Sequence, residues 1–124
     1  MTDHNHMVSV VQSYIEAFDR CDAKALAQLF ADDATVEDPV GSAPLVGLPT
    51  IREFYLKMAA NKAKLTLAGP ICTAAGCAAF PFECRFIFEG AYSRFDIIDV
   101  FRFDEHGKIK SMQAFFGPAN IHKI

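Results

Sequence analysis

In the second half of this chain apolar residues recur at every second position, and this pattern restricts the folds that the chain can adopt. From residue 80 the even positions are apolar, at Phe80, Phe82, Cys84, Phe86 and Phe88. Their odd neighbours include Glu83 and Arg85. Successive side chains of a β-strand point to opposite faces of the sheet, so the pattern predicts a strand with one buried face. Residues 95–103 and 108–116 are predicted to continue it as an antiparallel meander.

The first half of the chain has the spacing of helices, which would cover the apolar face of that sheet. Apolar residues recur at intervals of three and four at Met7, Val10, Val11, Tyr14, Ile15 and Phe18, as on one face of a helix. A second helix is predicted to begin with Asp22 as its N-cap and to bury Leu26, Leu29 and Phe30. Residues 34–38 are predicted to form a short strand that Pro39 and Gly41 end.

A third helix is predicted where Thr50 and Glu53 have the spacing of a capping box. Its buried residues would be Ile51, Phe54, Tyr55 and Met58. Helices followed by a meander predict an α+β fold, with about three helices of the N-terminal half packed on one curved antiparallel or mixed sheet. The length of 124 residues is most simply a single domain over residues 1–124.

Charge and composition exclude several classes of partner. The net charge is -3, and no cluster of basic residues is present, which argues against nucleic acid or an anionic membrane as a partner. The polar N-terminus lacks the pattern of a signal peptide, and residues 68–82, the most apolar run, are interrupted by glycine and proline. We therefore expect a cytoplasmic protein.

The metal-binding residue types are scattered along the sequence. None of the four cysteines forms a CxxC pair, and the four histidines lie near the termini and in a predicted turn. This pattern argues against a zinc site, and no metal or cofactor is expected. The cysteines are expected to be reduced and to pack as small apolar residues.

One aspartate lies on the predicted apolar face of the strand over residues 95–103. Asp99 alternates in phase with four apolar residues, Phe95, Ile97, Phe101 and Phe103. Asp96 lies on the other face with Arg102, a distant counter-charge, and is expected at the surface. An ionised carboxylate among hydrocarbon side chains is costly, so we expect Asp99 to have a raised pKa and to be neutral.

Asp38 presents the same conflict at the end of the strand over residues 34–38. It shares a face with Val36, whereas Glu37 points to the other side. Either aspartate, taken alone, could instead bond nearby backbone N–H groups in a cap or turn, and Tyr14 could be an ordinary core tyrosine. Together they place two carboxyls and a phenol on inward faces of three separate elements. That set suits proton transfer next to a ketone, with one base and two donors for an enolate oxygen.

Four segments carry a resemblance to the bacterial Δ5-3-ketosteroid isomerases, which have a cone-shaped fold of the NTF2-like or SnoaL-like kind. They are FADDATVEDPVG, TIREFY, FDIIDVFRFDEHGKIKSMQAFFG and ANIH, and the resemblance extends from about Met7 to His122. It implies a curved sheet wrapped by helices around a deep apolar pocket, and a homodimer. It also implies the isomerisation of 3-oxo-Δ5-steroids to 3-oxo-Δ4-steroids without a cofactor.

The resemblance implies roles for individual residues. Asp38 would be the base that moves a proton from C4 to C6, and Tyr14 and protonated Asp99 would donate to the C3 oxygen. Tyr55 would support Tyr14 without contacting the substrate itself. Phe30 stands where some relatives have another tyrosine. Residues expected to bind the steroid are Phe54, Phe82, Ile97, Phe101, Met112, Ala114 and Phe116; the alternative for each is a place in the core.

Other functions of the same fold remain as alternatives. A cofactor-free epoxide hydrolase would need an arginine between two acids on the pocket face, but Arg102 has the wrong parity relative to Asp99, and residue 97 is Ile. A dehydratase would need pocket histidines, and none of the four is suitably placed. A non-catalytic steroid-binding or protein-binding module would not need Tyr14, Asp38 and Asp99 together.

Overall fold

The computed structural model describes residues 2–124, which form three α-helices and eight strands. The helices are α1 (His4–Asp19), α2 (Ala23–Gln28) and α3 (Leu48–Ala60). The strands are β1 (Phe30–Glu37), β2 (Leu45–Val46), β3 (Lys64–Leu67), β4 (Cys72–Ala74), β5 (Cys77–Phe88), β6 (Ala91–Phe103), β7 (Ile109–Phe115) and β8 (Ile121–Lys123). A 3-10 turn, Pro118–Asn120, connects β7 to β8.

The second helix begins as its sequence predicts. The Asp22 carboxylate accepts a hydrogen bond of 3.0 Å from the Ala25 backbone N–H, and this satisfies one free donor of the first turn of α2. Asp3 caps α1 in the same way, accepting from His6 N–H at 2.8 Å. The predicted stripe of α1 is buried except for Ile15, which is half-buried. Phe30 is buried as predicted, but it begins β1 rather than belonging to the second helix.

The predicted start of the third helix is wrong. α3 begins at Leu48, after Gly47, and Thr50 lies inside its first turn without capping it. Gly47 has φ +89, a left-handed conformation that glycine adopts without steric cost. Pro49 follows in the first turn, where its missing N–H removes no helical hydrogen bond. The predicted inward face is correct, since Ile51 and Tyr55 are fully buried and Phe54 and Met58 are half-buried.

The sheet is mixed, as predicted, and one parallel pair makes it so. The strand order is β2-β1-β7-β6-β5-β3, with β4 added on β5 and β8 on β6. β1 pairs in parallel with β7, and the other neighbours are antiparallel. Sequence patterns missed the short strands β2, β3, β4 and β8, because two to four residues are too few to establish an alternation.

Burial along β5 and β6 confirms the predicted alternation and the position of both acids on β6. Even residues of β5 from Ala78 to Phe86 are buried, while their odd neighbours are half-buried. Asp99 is buried, and Asp96 lies at the surface. Asp96 pairs with Arg94 and with His122, each at 3.1 Å. Arg102, the expected counter-charge, bonds Gln113 instead.

No helix of the described chain, residues 2–124, is both long and apolar enough to cross a membrane.

Candidate active site

Tyr14 places a phenol deep inside the protein, on the inward face of α1. The residue is only 3% exposed, and its ring packs edge-on against Phe18 and Phe101 at centroid distances of 5.1 and 5.0 Å. Its Oη lies 3.0 Å from Tyr55 Oη on α3. Burial is the main cause that raises the pKa of the Tyr14 phenol well above its usual value. Tyr14 is therefore a neutral hydrogen-bond donor at physiological pH.

Tyr55 bonds Tyr14, borders the inner chamber together with Asp38 and Asp99, and packs on aromatic rings. Its ring lies 5.1 Å from that of Phe54 and 5.7 Å from that of Phe30. Because Phe30 has no hydroxyl, it cannot extend the pair of phenols into a chain of three. Burial also raises the pKa of Tyr55 well above its usual value, although the hydrogen bond with Tyr14 lowers it in part.

Asp99 lies in the middle of the sheet, on the concave face of β6. It pairs with Phe80 of β5 and Ala114 of β7 and is 1% exposed. Its Oδ1 is buried and has no hydrogen-bond partner within residues 2–124. Burial, and then the negative charge of Asp38, raise the pKa of Asp99 well above its usual value. The neutral carboxylic acid is the form that this environment favours.

Asp38 follows directly after β1 and is half-buried. Loss of solvent raises the pKa of its carboxyl to about 6, so the group is mostly ionised at neutral pH. Neighbouring Glu37 points to the opposite face of the sheet and accepts a hydrogen bond from Gln113 Nε2 at 3.2 Å. The two carboxyls Asp38 and Asp99 thus share one region of the protein but favour different protonation states.

An apolar cavity with two connected parts brings these groups together. The inner chamber, of about 30 Å³, is lined by Tyr14, Asp38, Tyr55 and Asp99 and by apolar side chains around them. The outer chamber has a volume of about 370 Å³ and is lined by Asp38 and by aromatic and aliphatic residues. Both chambers share Asp38, Phe54, Met58, Cys84 and Ile97 as wall residues, so they adjoin, and together they are called the pocket.

Four of the seven residues expected to bind a substrate line this pocket. They are Phe54, Phe82, Ile97 and Phe116. The other three, Phe101, Met112 and Ala114, are buried on the inward face but line neither chamber. The ring of Tyr14 packs on that of Phe101, so α1 covers this part of the sheet and turns it into core.

Several wall residues were missed by the sequence reasoning. These are Met58, Cys84, Phe86, Phe88, Phe95 and Ile121. The signal for five of them was present: Met58 lies on the predicted inward face of the third helix, and Cys84, Phe86 and Phe88 continue the inward alternation of β5. Phe95 has the same parity as Asp99. Burial raises the pKa of the Cys84 thiol to about 12, so Cys84 is a neutral wall residue.

The arrangement supplies one proton acceptor and two neutral donors in an apolar setting. Among residues 2–124 no group of three or more His, Cys, Asp and Glu side chains is arranged to hold a metal ion. Ionised Asp38 can accept a proton, while Tyr14 and protonated Asp99 can each donate a hydrogen bond. Donors in a site with little water stabilise a developing oxyanion more strongly than donors in solution do.

Comparison with known proteins adds a family and two relatives. The SnoaL-like domain family matches residues 11–112. A steroid Delta-isomerase of Nocardioides simplex is 36% identical over 113 residues, which cover 91% of each chain. The solved structure of SalBIII, an epoxide hydrolase/cyclase-like enzyme in pyran ring formation in polyether salinomycin, superposes with a TM-score of 0.93 over 100% of both chains at 23% identity. That likeness confirms the predicted cone-shaped α+β fold.

Proposed function

The chain belongs to the SnoaL-like domain family, and we propose that it isomerises 3-oxo-Δ5-steroids to 3-oxo-Δ4-steroids. One observation carries the proposal: Tyr14, Asp38 and Asp99, from three separate elements, meet in a pocket that is otherwise apolar. The similarity to a steroid Delta-isomerase over 91% of the chain supports an isomerase activity on a steroid. The flat hydrocarbon nucleus of such a substrate would replace water along the phenylalanine-rich walls of the outer chamber.

The reaction begins with the removal of a proton next to the ketone. The steroid binds with its C3 oxygen in the inner chamber, where Tyr14 and protonated Asp99 donate hydrogen bonds to it. Ionised Asp38 removes a proton from C4, and the electron pair of that C–H bond becomes part of a dienolate. Its negative charge concentrates on the C3 oxygen, where the two donors stabilise it.

The same carboxyl completes the reaction. Asp38, now protonated, delivers its proton to C6, and the electrons of the dienolate re-form the C3 ketone in conjugation with the new C4–C5 double bond. One proton leaves C4 and one arrives at C6, so the step needs no oxidant, reductant or cofactor. The position of Asp38 between the inner and outer chambers supports a role for one carboxylate at both carbons.

The unpartnered Oδ1 of Asp99 is best explained by this role. A buried polar atom without a hydrogen bond is costly, and such an atom calls for a reason in the function of the protein. In the proposed complex the C3 oxygen of the substrate would supply the missing partner. Asp99 and Tyr14 would then share one oxygen, each from its own element.

The outer face of the sheet supports a homodimer. Ile98 lies between Pro81 of β5 and Phe115 of β7 in one cross-strand row. Ile98 and Phe115 are 47% and 46% exposed, an arrangement typical of a surface that another molecule covers. We propose that a second copy of the chain covers it.

Opening of an epoxide has less support than isomerisation. Arg102 lies on the face opposite Asp99, where its Nη1 donates to Gln113 Oε1 at 2.6 Å. Position 97, next to the inner chamber, is Ile. The cation that an epoxide hydrolase of this fold would need between two acids is therefore replaced by a hydrocarbon side chain.

The test is the ultraviolet absorbance of purified protein mixed with a 3-oxo-Δ5-steroid. The expected result is the appearance of the conjugated enone at a rate proportional to protein concentration. Tight binding of a steroid with a phenolic ring, without any conversion, would instead assign the pocket to a steroid-binding protein.

A further inference from the structure

The outer chamber is polar at only one end. Asp38 and the Cys84 thiol are the only hydrogen-bonding side chains among its described wall residues, and both also border the inner chamber. The remainder of the wall is hydrocarbon. A substrate that enters with its ketone in the inner chamber therefore finds no side-chain hydrogen-bond partner at its other end.

Four phenylalanine rings form the wall far from Asp99, and we call them the phenylalanine cluster: Phe86, Phe88, Phe95 and Phe116. The ring of Phe95 is central, with centroid distances of 4.8 Å to Phe86, 5.0 Å to Phe88 and 5.2 Å to Phe116. Phe86 and Phe95 are buried, whereas Phe88 and Phe116 are half-buried. The cluster thus extends from the interior to the rim of the pocket.

The strand register gives the distance between the two ends. Asp99 pairs with Phe80, and Phe88 lies eight residues further along β5. At a rise of about 3.4 Å per residue this is about 27 Å measured along the strand, more than twice the length of a fused four-ring nucleus, so the nucleus ends before Phe88. Phe95 lies four residues from Asp99 on β6, about 14 Å at the same rise, and this is close to the length of the nucleus. With its C3 oxygen at Asp99 and Tyr14, a steroid would place its C17 end against Phe95, the central ring of the phenylalanine cluster, and short of the rim formed by Phe88.

We infer that the phenylalanine cluster selects 3-oxo-steroids whose C17 end is apolar and discriminates against those with a hydroxyl there. The inference rests on the proposed function, which sets the orientation of the steroid. A hydroxyl carried into this wall loses its hydrogen bonds to water and gains none from the protein. An apolar group at the same place exchanges water for contact with Phe95 and the rings packed on it.

The test compares equilibrium binding of two Δ4-3-oxo-steroids, one unsubstituted at C17 and one with a 17β-hydroxyl. Both are products of the proposed reaction type, so calorimetry measures their affinities without any turnover. We expect the unsubstituted steroid to bind about 10- to 100-fold more tightly, the range that one unpaired hydroxyl causes in an apolar site. Equal affinities, or tighter binding of the hydroxysteroid, would overturn the inference.

Three variants locate the discrimination. Phe86→Tyr and Phe95→Tyr each add one hydroxyl to the wall, and at least one of them should bring the affinity ratio toward one. Tyr92→Phe is the matched control, because it changes one ring hydroxyl at an exposed position of the same sheet and should leave the ratio unchanged. A wild-type ratio in both tyrosine variants would contradict the assignment to the phenylalanine cluster.

Failure of the inference is distinguishable from failure of the proposed function. Equal affinities together with normal enone formation would overturn the selection at C17 alone. Discrimination between the two steroids without enone formation would overturn the isomerase and leave the selection intact. Absence of binding by either steroid would overturn both.

Discussion

Asp38 and Asp99 carry the same functional group, and their surroundings give them opposite tasks. Asp99 is almost fully buried with one oxygen unpartnered, which favours its neutral form. Asp38 is half-buried beside the larger chamber and has a pKa of about 6, which favours its ionised form at neutral pH. The negative charge of Asp38 further raises the pKa of Asp99. One acceptor and one donor thus arise from two identical side chains.

Replacement of Asp38 should be the most damaging single change. Asp38→Asn removes the proton acceptor, and no other carboxylate borders the outer chamber, so kcat should fall by at least about 10²–10⁴. Tyr14→Phe removes one of two donors and should cost about 10²–10³. Enone formation measures both. Glu37→Gln is the control, since Glu37 faces the other side of the sheet; near wild-type turnover by Asp38→Asn would contradict the role of the base.

Two variants of Asp99 test whether this residue acts as a hydrogen-bond donor or as a negative charge. Asp99→Asn keeps an N–H donor close to the same position, whereas Asp99→Ala removes the donor and leaves a small cavity. Because the proposed role is donation by the neutral acid, Asp99→Asn should retain more kcat than Asp99→Ala. The opposite order in the same absorbance assay would show that Asp99 does not act as a hydrogen-bond donor.

The pH profile should have an acid limb that belongs to Asp38. A base with a pKa of about 6 becomes protonated as the pH falls, so kcat/KM should decrease about tenfold per pH unit below that value and be level above it. At higher pH, ionisation of Asp99 should cause a second decrease. Asp99→Asn should keep the acid limb and lose the alkaline one, and an unchanged alkaline limb would assign it to another group.

At the level of the elements, the N-termini of α2 and α3 show which local sequence signals determine where a helix begins. Asp22 lies before α2 and makes the hydrogen bond of an N-cap, as its position predicts. Thr50 has an equally suggestive spacing with Glu53, yet α3 has Gly47 as its N-cap and Pro49 in its first turn, so it begins three residues earlier. Glycine and proline restrict the backbone directly, and here they determine the start in place of a side-chain cap.

Stability measurements can distinguish these two starts. Asp22→Ala should lower the free energy of unfolding by about 1 kcal/mol, the usual cost of losing an N-cap side chain. Thr50→Ala should change it by less than about 0.5 kcal/mol, because Thr50 is exposed and caps nothing. Urea denaturation at pH 7 measures both values. An equal loss in the two variants would mean that α3 is capped by Thr50 in solution.

For the whole molecule, the two faces of the sheet have different partners. The concave face carries Asp99 and the pocket, while the outer face presents Ile98 and Phe115 to solvent. A second copy of the chain would bury this outer row without touching the pocket. The proposed assembly therefore stabilises the sheet that supports Asp99 and leaves the pocket wall unchanged.

A charged residue in the cross-strand row of Pro81, Ile98 and Phe115 should dissociate the proposed homodimer. Ile98→Asp places a carboxylate between Pro81 and Phe115, and sedimentation velocity should show a change from dimer to monomer, because a buried unpaired charge is costly. Leu56→Asp is the control, since Leu56 is 54% exposed on α3, away from this face. A wild-type protein that sediments as a monomer at micromolar concentration would contradict the homodimer.

The features that depend on local periodicity can be predicted from the sequence alone. The alternation on β5 and β6, the inward stripe of α1 and the opposite faces of Asp96 and Asp99 follow from the periods of two and 3.6 residues. These rules hold wherever a strand or helix packs, so no tertiary information was needed for them. The mixed α+β architecture followed from the order of such elements.

Which inward residues meet a cavity depends on how distant elements pack against each other. Phe101 and Phe95 have the same parity on β6, yet Phe101 packs beneath Tyr14 as core, and Phe95 lines the outer chamber. The difference depends on where α1 covers the concave face of the sheet, and this is set by contacts between elements far apart in sequence. Parity tells which face a side chain takes, whereas the packing of distant elements determines what lies opposite that face.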